Sequence, residues 1–239
     1  MNFIRIKHCD FEQKFNAFTS LDTLDNAEWK DTGRLDESSW TSRYEYEASL
    51  ISEIIKEKNH KKILEIGSGP GILSQFIQRN FPNETLEYDL IDKPYAKEYF
   101  EKNNFKGRFF DKDISIDLDV AGLKSEYDLI ICNDVLEHLI APSNVVKKIH
   151  NLLTFGGDAV ISVPNWRMAH QFLYRGLWDY DNFLYFMYIH ELDVEGVYPS
   201  PLQTPKYPKL DSEKCMPDEL ITSWNWYFVV NKRKPQTNK

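Results

Sequence analysis

The chain has 239 residues, long enough for one sizeable core with an appended subdomain. Hydrophobic content of 42% and charged content of 28% are ordinary for a globular protein. A formal net charge of −8 argues against a broad basic face for nucleic acid, and the basic stretch NKRKPQTNK at the end reads as a solvated tail.

Residues 1–43 are polar and turn-rich, and are expected to form an N-terminal cap or extension before the main domain at 44–239. From Tyr44 to Lys58, Leu50, Ile51, Ile54 and Ile55 share a helical face. KKILEIG is then a short strand, and Ile72, Leu73, Phe76 and Ile77 resume helical spacing. TLEYDLID is a second strand closed by Asp92-Lys93-Pro94, AKEYFEKNN a helix and GRFFDKDI a third strand. YDLIICND is apolar throughout, as for a strand buried on both faces. A helix presenting Val145, Val146, Ile149, Leu152 and Leu153 follows, with its stop expected at Gly156-Gly157, and DAVISVPN is a fifth strand.

Alternation of strand and helix over the core, 61–165, predicts an α/β, doubly wound, mostly parallel sheet. After Asn165 the texture changes. Residues 166–220 are first dense in aromatics and then proline-punctuated, with a loop expected over 198–217, and LITSWNWYFVVNKR looks like a last strand. Three cysteines, Cys9, Cys132 and Cys215, have no zinc-ligand spacing and read as reduced thiols. The first residues lack a signal-peptide core, and no run approaches the roughly 20 apolar residues of a membrane helix. The expectation is a soluble, cytoplasmic protein that does not engage a membrane.

In such sheets ligands sit at the carboxyl ends of the strands. There the chain reads Glu65-Ile-Gly67-Ser68-Gly69-Pro-Gly71. A dinucleotide fingerprint, Gly-x-Gly-x-x-Gly/Ala, fails on spacing. Counting from Gly67 its last position is Ile72; counting from Gly69 it is Ser74. What remains is Glu-x-Gly-x-Gly-x-Gly, in which the backbone passes close to a ligand and an acid can attract a cation. On these residues, on Asp92 and Asp113-Ile114, and on the block from YDLIICNDVLEHL to VISVPN, the chain resembles the class I S-adenosylmethionine-dependent methyltransferases.

The resemblance implies a Rossmann-like, seven-stranded sheet with one antiparallel strand near the C-terminus. It also implies cofactor contacts from Glu65, Gly67, Ser68, Gly69 and Gly71 to the methionine and ribose. Asp92 would accept from the ribose hydroxyls, Asp113 from the adenine amino group with Asp111 as competitor, and Ile114 would cover the ring. Asn133 would offer its backbone to the methionine part. The cofactor implied is S-adenosyl-L-methionine, leaving as S-adenosyl-L-homocysteine.

If NDVLEHL opens a helix at Asp134, then Asp134, Glu137 and His138 share a face. This pattern is similar to one that helps hold a divalent ion in ubiquinone-biosynthesis O-methyltransferases and small-RNA 2′-O-methyltransferases, the latter adding a histidine for which His170 or His190 stands available. The same Glu-His pair also occurs without metal, and a divalent metal is not the favoured reading. His138 and His190 are the candidate general bases. Val163-Pro164-Asn165, Arg175, Gly176-Leu177-Trp178-Asp179-Tyr180 and His190 resemble a run found in methionine-biosynthesis methyltransferase-like proteins and in domains attached to glycan-modifying enzymes. The helix usual after that histidine looks shortened here. Trp166, Tyr180 and His190 are the candidate acceptor contacts. The reading is methyl transfer to an oxygen or nitrogen of a small molecule, a sugar or biosynthetic intermediate among the options. The alternatives are a metal-assisted RNA 2′-O-methyltransferase and a non-catalytic cofactor-binding partner subunit.

Overall fold

The computed structural model describes residues 38–83, 86–102, 105–114, 122–124, 126–165, 175–200 and 223–233. The compact unit that carries the fold runs from Ser42 to Lys239; of the other unit, Met1–Thr41, only the helical backbone from Ser38 is described.

In chain order the elements are α1 (Ser38–Lys58), β1 (Lys62–Ile66), α2 (Ile72–Arg79), β2 (Glu87–Asp92), α3 (Tyr95–Lys102), β3 (Arg108–Asp111) and β4 (Tyr127–Asn133). A 3₁₀ turn (Leu136–His138), α4 (Pro142–Leu152), β5 (Leu153–Pro164), a second 3₁₀ turn (Arg175–Trp178), α5 (Tyr180–Ile189), β6 (Leu192–Pro199) and β7 (Asn225–Lys232) follow. The seven strands form one sheet in the order β3-β2-β1-β4-β5-β7-β6. β1 to β5 are parallel, and β7 runs antiparallel to both β5 and β6.

Burial follows the period-2 rule for a sheet covered on both faces. Leu64, Ile66, Ile130, Cys132, Ile161 and Phe228 point to the side packed by α4 and α5. Ile63, Leu129, Ile131, Val160, Tyr227 and Val229 point to the side packed by α1 and α2. The expected stripe of Leu50, Ile51, Ile54 and Ile55 is buried there. Helix α5 starts with Asp179 as its cap, whose side chain accepts from the Asp181 N–H at 3.1 Å, and it buries Phe183, Phe186 and Met187.

One sequence expectation is corrected. The helix stop at Gly156-Gly157 is not used. α4 ends at Leu152 and Leu153 already begins β5, with Gly156 at φ 86 inside an irregular stretch of strand pairing between Tyr127 and Leu129. Glycine followed by glycine here marks a bulge, because a left-handed residue breaks the ladder that its neighbours keep. β6, one of the seven strands that the resemblance implied without assigning it a stretch, opens directly after α5. LDVEGVYP alternates only weakly; Leu192 is buried while Asp193, Glu195 and Tyr198 are exposed, as expected of an edge strand carrying charges and a closing proline. Of the predicted loop 198–217, residues 201–217 lie outside the described residues.

At the amino end of the sheet, Asp158 on β5 ties α1 to the fold. Its fully buried carboxylate meets Lys58 Nζ at 2.8 Å and His60 Nε2 at 2.6 Å. Without Asp158 the buried His60 ring would lose this hydrogen-bond partner, while Lys58 would keep Glu195 at 2.7 Å. Asp158→Ala is expected to lower unfolding free energy by about 1–3 kcal/mol, read as a shift of the urea midpoint at unchanged slope.

Candidate functional site

The loop after β1 turns at three left-handed glycines: Gly67 at φ 69, Gly69 at φ 52 and Gly71 at φ 75. At Gly67 the need for glycine is also spatial, since a Cβ there would lie 2.2 Å from Val135 Cγ2. The missing side chain lets the end of β4 close against the end of β1. The loop is held from β2: the Gly67 N–H donates to the Ile91 carbonyl at 2.9 Å and the Gly69 N–H to Asp92 Oδ2 at 2.6 Å. Asp92 Oδ1 accepts from the Lys93 N–H at 2.6 Å, so its carboxylate faces back over the glycines. Ser68 is buried and its hydroxyl donates to the Gly69 carbonyl.

Glu65 points to the α1/α2 side, and the Ser74 hydroxyl from α2 donates to it. Burial pushes its carboxyl up to about 8; the Ser74 bond pulls the other way, and Glu47 and Asp92 push it further up. Ile114 is buried against the core near the strand ends, while Asp113 is half-buried beside it and Asp111 pairs with Lys97 at 3.2 Å.

The geometry at the end of β4 departs from the sequence expectation. Asp134 does not open an α-helix. It takes φ 53, and only the 3₁₀ turn Leu136–His138 follows, so Asp134, Glu137 and His138 do not form the expected i, i+3, i+4 face. Aspartate tolerates the left-handed region better than most residues, here because its own side chain is tied down. Arg43 Nη2 from α1 donates to Asp134 Oδ2. Ser162 Oγ from β5 donates to Oδ1 at 2.8 Å, and Asn225 Nδ2 from β7 to the same oxygen at 2.5 Å. Arg43 Nε also donates to Glu47 Oε1 at 2.7 Å, and the Tyr227 hydroxyl donates to that oxygen at 2.7 Å. Burial works against the Arg43 charge, yet Asp134 and Glu47 outweigh it and hold its pKa well above the usual value. Burial, with Glu47 beside it, raises the Tyr227 hydroxyl in turn.

The register explains the cluster. Asn133, Ser162 and Tyr227 are direct partners on three adjacent strands, so their side chains share the face under α1. Sequence reasoning missed Arg43, Glu47, Ser162, Asn225 and Tyr227. One signal was available: Arg43 and Glu47 continue the i, i+4 stripe of Ile51 and Ile55, where a core helix has no reason to place charges.

The remaining candidates separate. Glu137 is buried, with its Oε1 at 3.7 Å from His138 Nε2, and among the described residues no group of three or more His, Cys, Asp or Glu is placed to hold a metal ion. Both ring nitrogens of His190 are committed, Nδ1 to the Phe186 carbonyl at 2.7 Å and Nε2 to Ser143 Oγ at 2.5 Å. His190 also precedes Leu192, which pairs with Lys232; the carboxyl edge lies at the other end, where Pro199 pairs with Trp226, about 20 Å along the strand. That position makes His190 a pin between α4 and α5, and not a base at the glycine loop. Tyr180 packs on Trp226 and Phe228 and lines a groove of about 530 Å³ between α5 and β6, on the face opposite Asn133 and Tyr227. Trp166 and His170 lie outside the described residues.

This site fits a close-bound ligand with a cationic part. The loop turns at three left-handed glycines, Asp134 and Glu47 meet the Arg43 guanidinium, Glu65 lies near the carboxyls of Glu47 and Asp92, and both amide atoms of Asn133 are buried with no hydrogen-bond partner among the described residues. A buried carboxamide with its donor and acceptor both open is what a polar ligand would satisfy.

Together the doubly wound sheet and the glycine loop at its carboxyl edge define a Rossmann-like α/β fold. The methyltransferase-domain family model matches residues 40–195, and the chain belongs to that family. The ubiquinone biosynthesis O-methyltransferase of Psychrobacter cryohalolentis is 28% identical over 106 residues, 44% of this chain and 41% of that one. The enzyme of the same name from Pseudomonas aeruginosa is 28% identical over 105 residues, 44% of this chain and 45% of its own. The match thus spans less than half the length of these curated relatives. Among solved structures, the Burkholderia thailandensis 1,6-didemethyltoxoflavin-N1-methyltransferase, with bound 1,6-didemethyltoxoflavin and S-adenosylhomocysteine, aligns with TM-score 0.61 at 15% identity over 98% of this chain and 94% of that one. A TehB-like SAM-dependent methyltransferase from Corynebacterium glutamicum aligns with TM-score 0.59 at 20% identity over 87% of this chain and 100% of that one. At these identities the likeness is one of fold.

Two outcomes follow from the loop. Gly67→Ala is expected to destabilise the protein by more than about 1 kcal/mol, through both the positive φ and the contact with Val135. Adding Val135→Ala should recover only part of the loss, because it frees the space and leaves the φ. Glu65 binds its proton more tightly folded, at about 8 against an unfolded reference of 4.5. The native state then holds more protons across that window, and stability falls as pH rises through it. Melting temperatures of Glu65→Gln and wild type compared between pH 6 and pH 9 should show the wild type losing ground toward the alkaline end.

Proposed function

We propose that the protein transfers a methyl group from S-adenosylmethionine to an oxygen or nitrogen of a small molecule. The observation that carries this reading is the loop of three left-handed glycines locked to Asp92 at the carboxyl ends of β1 and β2. Family membership supports it, and so do the methyltransferases among the relatives and structural neighbours.

In this reading Gly67, Ser68, Gly69 and Gly71 give the ligand their backbone, and Asp92 accepts from the ribose hydroxyls. Ile114 covers the adenine ring and Asp113 accepts from its amino group. Glu65 faces the amino-acid end, next to Asn133. When bound, S-adenosylmethionine supplies a methyl already activated on a sulfonium. The protein's share is alignment, for which no full triad is required. His138, half-buried beside Glu137, is the one candidate general base that stays at the carboxyl edge. The acceptor itself is a small molecule, and a sugar or biosynthetic intermediate falls within this reading.

A metal-assisted reaction on RNA is disfavoured by the commitment of Asp134 to Arg43, Ser162 and Asn225 and by the net charge of −8. In a binding-only partner subunit the same loop would hold the cofactor without turnover.

Calorimetric titration with S-adenosylhomocysteine tests the binding half. Asp92→Ala should weaken binding by roughly 1–3 kcal/mol, or about 5- to 150-fold. Undiminished binding by that variant would count against the assignment. Transfer of labelled methyl groups to a metabolite extract should proceed equally in EDTA and in added Mg²⁺ or Mn²⁺. Binding with no transfer would favour the partner subunit.

A further inference from the structure

Glu65 is the acid nearest the glycine loop, and its setting is unusual for a group that is to meet a cation. It is 5% exposed. From α2, the hydroxyl of Ser74 donates to it. The groups facing it from α1 are Glu47 and Tyr44, and from β2 Asp92 and Tyr88. All of these are acids or neutral hydroxyls. The cation of this layer, Arg43, directs Nε to Glu47 and Nη2 to Asp134. Among the described residues an ionised Glu65 would therefore stand buried beside two other carboxylates with no counter-charge of its own, and burial of an unpaired anion is costly enough that such groups hold their proton. The direction of its titration agrees, the carboxyl being pushed up to about 8 by burial first and by Glu47 and Asp92 after it.

The same position is two residues before Gly67, where the proposed cofactor presents its amino-acid end. This step rests on the reading of the loop as an S-adenosylmethionine site. We propose that Glu65 carries a proton in the ligand-free protein and releases it to solvent when the ligand's ammonium arrives, so that the acid recognises the amino-acid end and not the adenosine. No covalent bond is made or broken beyond the carboxyl O–H. The ligand brings the counter-charge that the protein lacks at this point, and the ionised pair replaces the neutral acid. Binding and proton release are then linked, and affinity rises with pH until Glu65 is already ionised without ligand.

Titration calorimetry of the full chain decides this. S-adenosylhomocysteine and 5′-methylthioadenosine, which lacks the amino acid, are each titrated at pH 7.0 in phosphate and in Tris, whose ionisation enthalpies differ. S-adenosylhomocysteine should release up to about one proton, and its affinity should fall by up to about tenfold per pH unit below pH 7. Methylthioadenosine should release none. Glu65→Gln, checked for a normal melting transition, should bind S-adenosylhomocysteine without proton release. Binding by wild type with the same heat in both buffers overturns the proposal whatever the variant does. So does equal release by methylthioadenosine, or by the variant. If neither compound binds, the cofactor reading falls, and this proposal with it.

Discussion

Asp134 accepts hydrogen bonds from α1, β5 and β7 while its own backbone sits in the left-handed region at the end of β4. Its N–H also donates to the carbonyl and the hydroxyl oxygen of Ser162, each at 3.1 Å. Four segments distant in sequence are thereby joined at one carboxylate. The turn that results decides where Asn133 ends, where Val135 fills the space beside Gly67, and how α1 lies over the carboxyl edge. A lone buried guanidinium would be unfavourable there; two carboxylates and a tyrosine hydroxyl around it make the layer self-consistent.

The glycine loop depends on that turn from the other side. Gly67 lacks a side chain so that Val135 can approach, and Asp92 receives the Gly69 N–H so that the loop stays folded back over β2. What gathers at this edge is an excess of carboxyls. Burial, with Glu47 and Asp92 nearby, favours the protonated form of Glu65.

The opposite end of the sheet is built for stability alone. There Asp158, fully buried, gathers Lys58 and His60 from the end of α1 and its following turn, and His190 spends both ring nitrogens joining α4 to α5. Helix α1 thus carries a structural charge cluster at its C-terminal end and a site-forming one near Arg43. A histidine at the amino end and one at the carboxyl edge look alike in sequence and differ in role, because topology places them on opposite ends of the strands.

Much of this was legible in the residues. Alternating apolar runs and helical stripes from Lys61 to Asn165 determined a parallel α/β sheet, since period and burial are local properties of a strand or helix. Glycine spacing separated this loop from a dinucleotide fingerprint, because close backbone approach tolerates no Cβ at fixed positions. β6 escaped notice because an edge strand need not alternate cleanly, and Gly156-Gly157 misled because a glycine pair serves a bulge as readily as a helix end. Only tertiary structure could decide the fate of Asp134, Glu137 and His138. Their shared face required a helix that the contacts of Asp134 with Arg43, Ser162 and Asn225 prevent, and those three lie at least 28 residues away in the chain. Long-range hydrogen bonds at one carboxylate outweigh a local helical pattern, and no reading confined to neighbours along the chain can see them.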